Sequence, residues 1–428
     1  MRHPSEKRAV ASLFWCIDGV FNRQQEASDM NPTAFRLAQR TSRLTPSMIR
    51  ELMKLMGRPG LVSLGGGLPS ADGFPAEPLR EASQRVLAQT PREALQYGTT
   101  EGLPALREWV AQRLLQRGLA IHAAQVLITS GSQQGLDLVA KLLLEGGTQV
   151  AVESPTYLGA LQAFAPYEAD AVEVACDEAG PLPERLHEVA DARALYLLPN
   201  FQNPTGRCIP QARRVQIAAQ AQALGLPLIE DDPYGDLWFD RAPPAPVAAH
   251  WPQGTVYLGS FSKILAPGLR LGYAVAPAPV YDLLVQAKQA ADLHSGMFAQ
   301  HLVVDLLHTG MLDTHLDDVR ARYRLGRDAM AQALHTHMRD LATWQVPQGG
   351  MFFWLTLPRQ IDAARLLPLA IEQGVSFVPG VAFFATTPMH HALRLSFVTE
   401  PAERIAQGVA TLAQLVRRAL ANQSGQAQ

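Results

Sequence analysis

The chain has 428 residues, of which 47% are hydrophobic, enough material for two packed domains rather than one core. A formal charge of −2 excludes the basic footprint that nucleic acid or an anionic membrane surface requires, so small molecules are the expected partners. Cys16, Cys176 and Cys208 show neither paired nor metal-ligand spacing, so no disulfide framework and no metal site are expected, and a reducing cytoplasm fits.

At the start, Arg2, Lys7 and Arg8 precede an apolar stretch over 9–17, but Asp18 interrupts it and no small-residue cleavage pattern follows. Residues 1–30 read as a disordered extension, with Met30 as a second candidate start. From Thr45, Pro46 and Ser47 lead into Met48, Ile49, Leu52, Met53, Leu55 and Met56, the pattern of a short amphipathic helix that carries Arg50. The turn Gly65-Gly66-Gly67-Leu68-Pro69 closes this segment and allows a close backbone approach.

Between 126 and 276 short β-rich runs alternate with helical ones. Strands are expected at 126–129, 149–152, 171–174, 194–198, 228–229, 256–258 and 271–275, and helices at 133–144, 158–164 and 211–224. This alternation predicts an α/β fold, a mostly parallel sheet covered by helices on both faces, with ligands at the carboxyl ends of the strands. A long helical region follows to about 337, then short strands and a final amphipathic helix near 402–419. The expected organisation is an extension over 1–30, an arm and small-domain segment over 31–75, a large domain over 76–320 and a smaller α+β domain over 321–428. No apolar run reaches the ~18 residues of a membrane helix.

Four motifs sit at expected strand ends. The first is Gly259-Ser260-Phe261-Ser262-Lys263, continuing to Pro267-Gly268-Leu269-Arg270. Of the five lysines, Lys54, Lys141 and Lys288 lie in helical patterns and Lys7 in the extension, so those four read as surface residues. Lys263 stands apart: Ser260, Ser262 and Arg270 suit a phosphate dianion, and a lysine near cations or in an apolar site becomes an amine nucleophile for an aldehyde. An aldehyde carrying a phosphate points to pyridoxal phosphate, held by Lys263 as a Schiff base. The second motif is Glu230-Asp231-Asp232-Pro233-Tyr234. The cofactor works as an electron sink when a carboxylate keeps its ring nitrogen protonated, a role given to Asp231, with Tyr234 placed to bond the phenolic oxygen. Metal binding or a helix cap is the other reading of such an acidic cluster, and Glu230 and Asp232 fit structural roles. The third, Asn200-Phe201-Gln202-Asn203-Pro204-Thr205-Gly206, offers the Asn203 amide to the phenolate oxygen, or is a plain turn. The fourth, Ser130-Gly131-Ser132-Gln133, is an anion cradle at a helix start, or ordinary N-capping by Ser130 or Ser132. Tyr157 is either a stacking partner for the pyridine face or a core aromatic.

Together, in this order and at these separations, the motifs resemble the fold-type I pyridoxal-phosphate aminotransferases of classes I and II, most of all the branch of aminoadipate, kynurenine and multisubstrate aromatic aminotransferases. The resemblance runs from about Phe35 to the end of the chain. It implies that Tyr97 reaches the cofactor phosphate of a neighbouring subunit, hence a homodimer, and that Arg394 pairs with the substrate α-carboxylate, a surface ion pair being the alternative. It implies a substrate-side place for Gly66, Asn203 and Tyr97, and contact between Arg50 and an acidic substrate side chain, where helix position alone also allows a solvent-facing arginine. Arg270 lies seven residues after Lys263, one fewer than in aspartate aminotransferases, which speaks against a narrow aspartate specificity.

The expected reaction moves an amino group from an L-amino acid (2-aminoadipate, aromatic or aliphatic) to an oxo acid such as 2-oxoglutarate, with freed Lys263 carrying the proton. A lyase, decarboxylase or racemase on the same scaffold is the main alternative, since the site rather than the fold selects the bond broken. An aminotransferase-like regulator would need a basic helix-turn-helix, and a nicotinamide dehydrogenase a Gly-x-Gly-x-x-Gly after its first strand; neither pattern is found in the sequence.

Overall fold

The computed structural model describes residues 36–44 and 60–426. The helix expected from Thr45, with Arg50 and Lys54, lies outside the described residues, as does the extension over 1–30. The chain divides into two compact units. One holds Pro69–Arg324 with Pro347–Gly350; the other holds the described residues up to Leu68, Leu325–Val346 and the described residues from Met351 onward.

The larger unit is built on seven strands: β1 (Val126–Thr129), β2 (Gln149–Glu153), β3 (Asp170–Val174), β4 (Leu195–Leu197), β5 (Leu228–Asp232), β6 (Thr255–Ser260) and β7 (Gly272–Val275). Their order is β1-β7-β6-β5-β4-β2-β3. β7 runs antiparallel to both of its neighbours and every other pair is parallel, so the carboxyl ends of six strands share one edge. β1, β4, β5, β6 and β7 are buried along their whole length, as strands covered on both faces must be. β3, at the sheet edge, is mostly half-exposed.

Side chains alternate between the two faces. On one, Leu195, Leu197 and Leu228 pack with Ile217, Ala218 and Ala221 of helix Gln211–Leu224, and Val126, Ile128 and Tyr257 pack with Leu106, Val110 and Leu114 of helix Pro104–Gln116. On the other lies helix Ser132–Leu143, whose Gly135 is so close to Leu258 that a Cβ there would stand 2.9 Å from its Cδ2. The expected helical region to 337 is three helices, Ala278–Asp292, Met297–His308 and Met311–Met338. Leu293 (φ 64°) and Gly310 (φ 71°) break it, because a left-handed residue cannot continue a right-handed helix.

The smaller unit carries an antiparallel sheet of β8 (Thr343–Trp344), β9 (Phe352–Thr356), β10 (Val378–Pro379) and β11 (Ala392–Ser396), in the order β8-β9-β11-β10. Helix Ala363–Glu372 starts where Asp362 accepts from the Ala364 and Arg365 amides at 2.8 and 3.2 Å. Helix Ala402–Gln426 completes the unit. No helix among the described residues is long and apolar enough to cross a membrane.

Candidate active site

The carboxyl ends of β5 and β6 lie side by side, with Asp231 paired to Leu258 and Asp232 to Gly259. Three consecutive acids end β5, and strand alternation sends them to different faces. Glu230 accepts from the Val247 and Ala248 amides at 3.0 and 2.7 Å. Asp232 accepts from the Gly235 amide and the Tyr257 hydroxyl, both at 2.8 Å, and is ion-paired with Arg117. Asp231 faces the other way. Its Oδ2 accepts from the Tyr196 hydroxyl at 2.8 Å, while its Oδ1 is buried with no hydrogen-bond partner. Tyr196 is fully buried on the neighbouring strand, with Phe164 edge-on to its ring at 5.7 Å.

Electrostatics separate the three. Burial pushes Asp231 up to about 7, the Tyr196 hydrogen bond working against this and the Asp232 charge adding to it. Burial likewise pushes Glu230 up to about 7. Burial also acts upward on Asp232, but the Arg117 charge and the hydrogen bonds around it hold it below the usual carboxylate range. Glu230 and Asp232 are therefore committed to scaffold contacts, and Asp231 alone keeps a carboxylate oxygen in need of a donor.

Beyond β6 the chain makes one tight turn, with the Leu265 amide donating to Phe261 O at 2.9 Å, and this turn carries half-buried Lys263. Ser260 is buried and its Oγ accepts from the Ser262 amide at 3.1 Å. Arg270 adopts φ 51° and its Nη2 donates to Ser130 O at 3.1 Å. The guanidinium crosses directly over Gly131 (φ 85°), where a Cβ would stand 2.5 Å from Nη2, so glycine is required on two counts. Gly131 caps helix Ser132–Leu143, whose first amides have no acceptor within the helix. Gln133 Nε2 donates to Gly159 O at 3.0 Å, and the Tyr157 ring lies against that same glycine.

Asn203 and Tyr234 are both buried, Asn203 in the loop after β4 and Tyr234 just past β5. Tyr97 is exposed, its ring edge-on to His294 at 5.6 Å. In the smaller unit Arg394 of β11 is fully buried rather than part of a surface ion pair. Its guanidinium is 4.1 Å from the Phe352 ring centroid and 5.2 Å from that of Phe383, and Nη2 donates to Gly65 O at 2.8 Å. Gly66 is buried in the same turn. Arg50 lies outside the described residues.

One expectation, a surface place for Lys288, needs correction, and the surroundings of Ser130 bear on it. Ser130 has every polar group engaged within the protein: its amide donates to Gln134 Oε1 at 2.8 Å, its hydroxyl to Asp292 Oδ2 at 3.0 Å, and its carbonyl accepts from Arg270. Gly131 and the first helical residues Ser132 and Gln133 follow it directly. Lys288 is not a surface residue; its side chain is fully buried against Asp292. Tyr196 was missed altogether. The signal available for it was a phenol inside an aliphatic strand, which must find a partner when buried.

These residues fit pyridoxal phosphate. A protonated pyridine nitrogen would satisfy the buried Asp231 Oδ1 with both charge and a proton, and a helix start flanked by Arg270 suits a phosphate. Comparison with known proteins leads to the same group. The family profile described as "Aminotransferase class I and II" matches residues 59–412. The 2-aminoadipate transaminase of Thermus thermophilus is 42% identical over 387 residues, covering 89% of this chain and 96% of that one. Aromatic-amino-acid aminotransferase 1 of Thermococcus litoralis is 39% identical over 384 residues, covering 87% and 91%. The crystal structure of the α-aminoadipate aminotransferase LysN from Thermus thermophilus, complexed with N-(5'-phosphopyridoxyl)-L-leucine, superposes with a TM-score of 0.84 at 41% identity, covering 90% of this chain and 98% of that one. The chain belongs to the class I and II aminotransferases, and is a fold-type I enzyme that transfers amino groups with pyridoxal phosphate as its cofactor.

Proposed function

We propose that this aminotransferase takes 2-aminoadipate, aromatic or aliphatic L-amino acids as donors and 2-oxoglutarate as acceptor, with Lys263 as anchor and proton carrier. The observation that carries the reading is the buried, partnerless Oδ1 of Asp231 on the strand next to the one that delivers Lys263. Bound pyridoxal phosphate supplies an electron sink for the charge left on the substrate α-carbon. Asp231 holds the proton on the ring nitrogen, and Asn203 and Tyr234 orient the ring through its phenolic oxygen. Tyr157 covers one ring face. Gly131, Ser132, Gln133, Ser260, Ser262 and Arg270 bind the phosphate by amides, hydroxyls and a guanidinium. Lys263 would hold the cofactor through its amine and, as a free amine beside the substrate, would move a proton from the α-carbon, its proximity making it effective.

Arg394 takes the substrate α-carboxylate. Its stacking between Phe352 and Phe383 and its bond to Gly65 O support a preset guanidinium, and Gly66, next along the same turn, is assigned to the substrate side. Donor breadth rests on the names of the two relatives, one acting on 2-aminoadipate and one on aromatic amino acids. Arg50 is assigned to acidic donor side chains. The protein is assigned to the cytoplasm as a homodimer in which Tyr97 completes the partner's phosphate site.

Replacing Lys263 tests the centre of this reading. Wild-type protein should absorb at the visible edge and convert to pyridoxamine phosphate when given an amino acid without acceptor. Lys263→Ala should lose that absorbance and turnover by at least roughly 10³-fold even where cofactor still binds. A colourless wild type that added cofactor does not rescue would overturn it.

A further inference from the structure

Beside the turn assigned to the phosphate lies a hydrogen-bonded set of charges that the reaction does not use, its lysine buried and its aspartate side chain 28% exposed. Lys288 and Asp292 are one turn apart on helix Ala278–Asp292, and the lysine side chain is wholly buried. Its Nζ donates to Asp292 Oδ1 and Oδ2 at 2.7 and 2.9 Å and to Gln134 Oε1 at 3.1 Å. Gln134 Nε2 donates to Asp292 Oδ2 at 2.7 Å, and Ser130 Oγ donates to the same oxygen at 3.0 Å. The Ser130 amide closes the ring on Gln134 Oε1 at 2.8 Å. Buried Ser295 adds a hydroxyl contact to Ser130 Oγ at 3.2 Å.

Asp292 occupies an electrostatically poor position. It is the last residue of its helix, where the dipole is negative and a carboxylate is disfavoured. Its partners Gln134 and Ser130 belong to the turn and first helical turn that face the phosphate, so its charge lies close behind a second anion. A carboxylate there is useful because it accepts the hydroxyl and amide that fix Ser130, and harmful because it repels phosphate. Lys288 removes the harm. Buried lysines are costly, and burial lowers the proton affinity of this one more than the Asp292 hydrogen bond and charge raise it, so the pairing with Asp292 is what offsets part of that cost.

We propose that Lys288 is a positioning residue for cofactor binding: it neutralises Asp292, so that Asp292 and Gln134 clamp Ser130 and aim the Gly131–Gln133 amides at the phosphate without opposing its charge. Ser130 is then part of the frame, pinned by Gln134, Asp292 and Arg270 on its three polar groups. The inference rests on the assignment of the phosphate to this turn.

The test uses full-length protein stripped of cofactor and titrated with pyridoxal phosphate and with pyridoxal, which lacks the phosphate. Wild type should prefer the phosphorylated form strongly; equal affinities would remove the phosphate assignment itself. Lys288→Met leaves Asp292 uncompensated and should weaken pyridoxal phosphate by on the order of tenfold while leaving pyridoxal unchanged. Adding Asp292→Asn to Lys288→Met should restore most of the preference, which a merely structural role for Lys288 would not do. Asp292→Asn alone leaves a cation behind the turn and should keep or increase the preference. A fall in that single variant, or an unchanged ratio in Lys288→Met, overturns the inference, and the Asp292→Asn arm decides even if Lys288→Met does not fold.

Discussion

Glu230, Asp231 and Asp232 are chemically near-equivalent in sequence and end in three environments, because a strand turns successive side chains to opposite faces. Asp231 is the one whose environment suits a ring nitrogen, and the Tyr196 hydrogen bond favours its ionised form against the upward push of burial. Removing that phenol should raise the proton affinity of Asp231 and draw the ring proton toward it. Tyr196→Phe is expected to lower kcat/KM by roughly tenfold and to move the pH titration of the bound cofactor's absorbance upward, with substrate KM little changed. The same burial has a stability consequence in cofactor-free protein. The folded pKa of Asp231, about 7, lies above its unfolded value of 3.8. Its contribution is therefore fully present below the unfolded pKa and is lost as pH rises through the folded one. Thermal unfolding of cofactor-free Asp231→Asn should match wild type near about pH 4 and exceed it near about pH 8 by on the order of a few kcal/mol, because only the wild type must bury a charge there. A variant less stable than wild type at the higher pH would contradict this. Loaded with cofactor, the order should reverse, since the ring then offsets the buried charge.

At the level of elements, the turn between β1 and its helix depends on a glycine for reasons of both backbone and space. Gly131→Ala must adopt φ 85° and displace the Arg270 guanidinium, so cofactor affinity should fall by about tenfold and stability by about 1–2 kcal/mol, read by titration and by urea unfolding. In the smaller unit β11 pairs Arg394 with Trp354 of β9 and with Val378 of β10, which fixes the side chain between two phenyl rings. A lysine there has neither the planar fork nor the stacking surface. Arg394→Lys should reduce kcat/KM by roughly 10²-fold for every amino donor alike, with the cofactor spectrum unaltered. Loss confined to one donor would place Arg394 on the side chain instead of the α-carboxylate. Strand and helix positions were legible in this part of the chain because periodicity reports local burial directly. Helix Pro104–Gln116, which sequence reading passed over, shows the limit: its buried stripe of Leu106, Val110, Ala111 and Leu114 is diluted by Trp109 and Leu115 on other faces, and Arg113 and Arg107 find partners only in folded contacts.

For the whole molecule the assignment of Tyr97 to a partner's phosphate makes a quantitative statement. Tyr97 is 77% exposed, a large amphipathic side chain turned outward. If the site is shared, Lys263→Ala and Tyr97→Ala chains that are each nearly inactive should regain activity when unfolded and refolded together. Random pairing gives about half heterodimers, each with one intact site, hence about a quarter of wild-type turnover. No gain on mixing would confine Tyr97 to its own subunit.

Family, fold class and cofactor were readable from the chain alone, because each rests on residues contiguous in sequence at the ends of strands that the hydrophobic pattern already locates. The assignments proposed for Lys263 and Asp231 rest on contiguous motifs of the same kind. The hydrogen bonds of Ser130 to Gln134 and Asp292, the burial of Lys288 and the hydrogen bond of Tyr196 to Asp231 were decided by tertiary structure only. The hydrogen bonds that decide them, Ser130 to Asp292, Gln134 to Asp292 and Tyr196 to Asp231, join residues 162, 158 and 35 positions apart along the chain. A helical pattern with one lysine reads as solvated until a second helix and the turn before it supply the carboxamide and hydroxyl that share its partner. Local patterning fixes which face a side chain takes, but whether that face meets water or a buried counter-charge depends on what packs against it, and the energy of a buried charge is set by those neighbours.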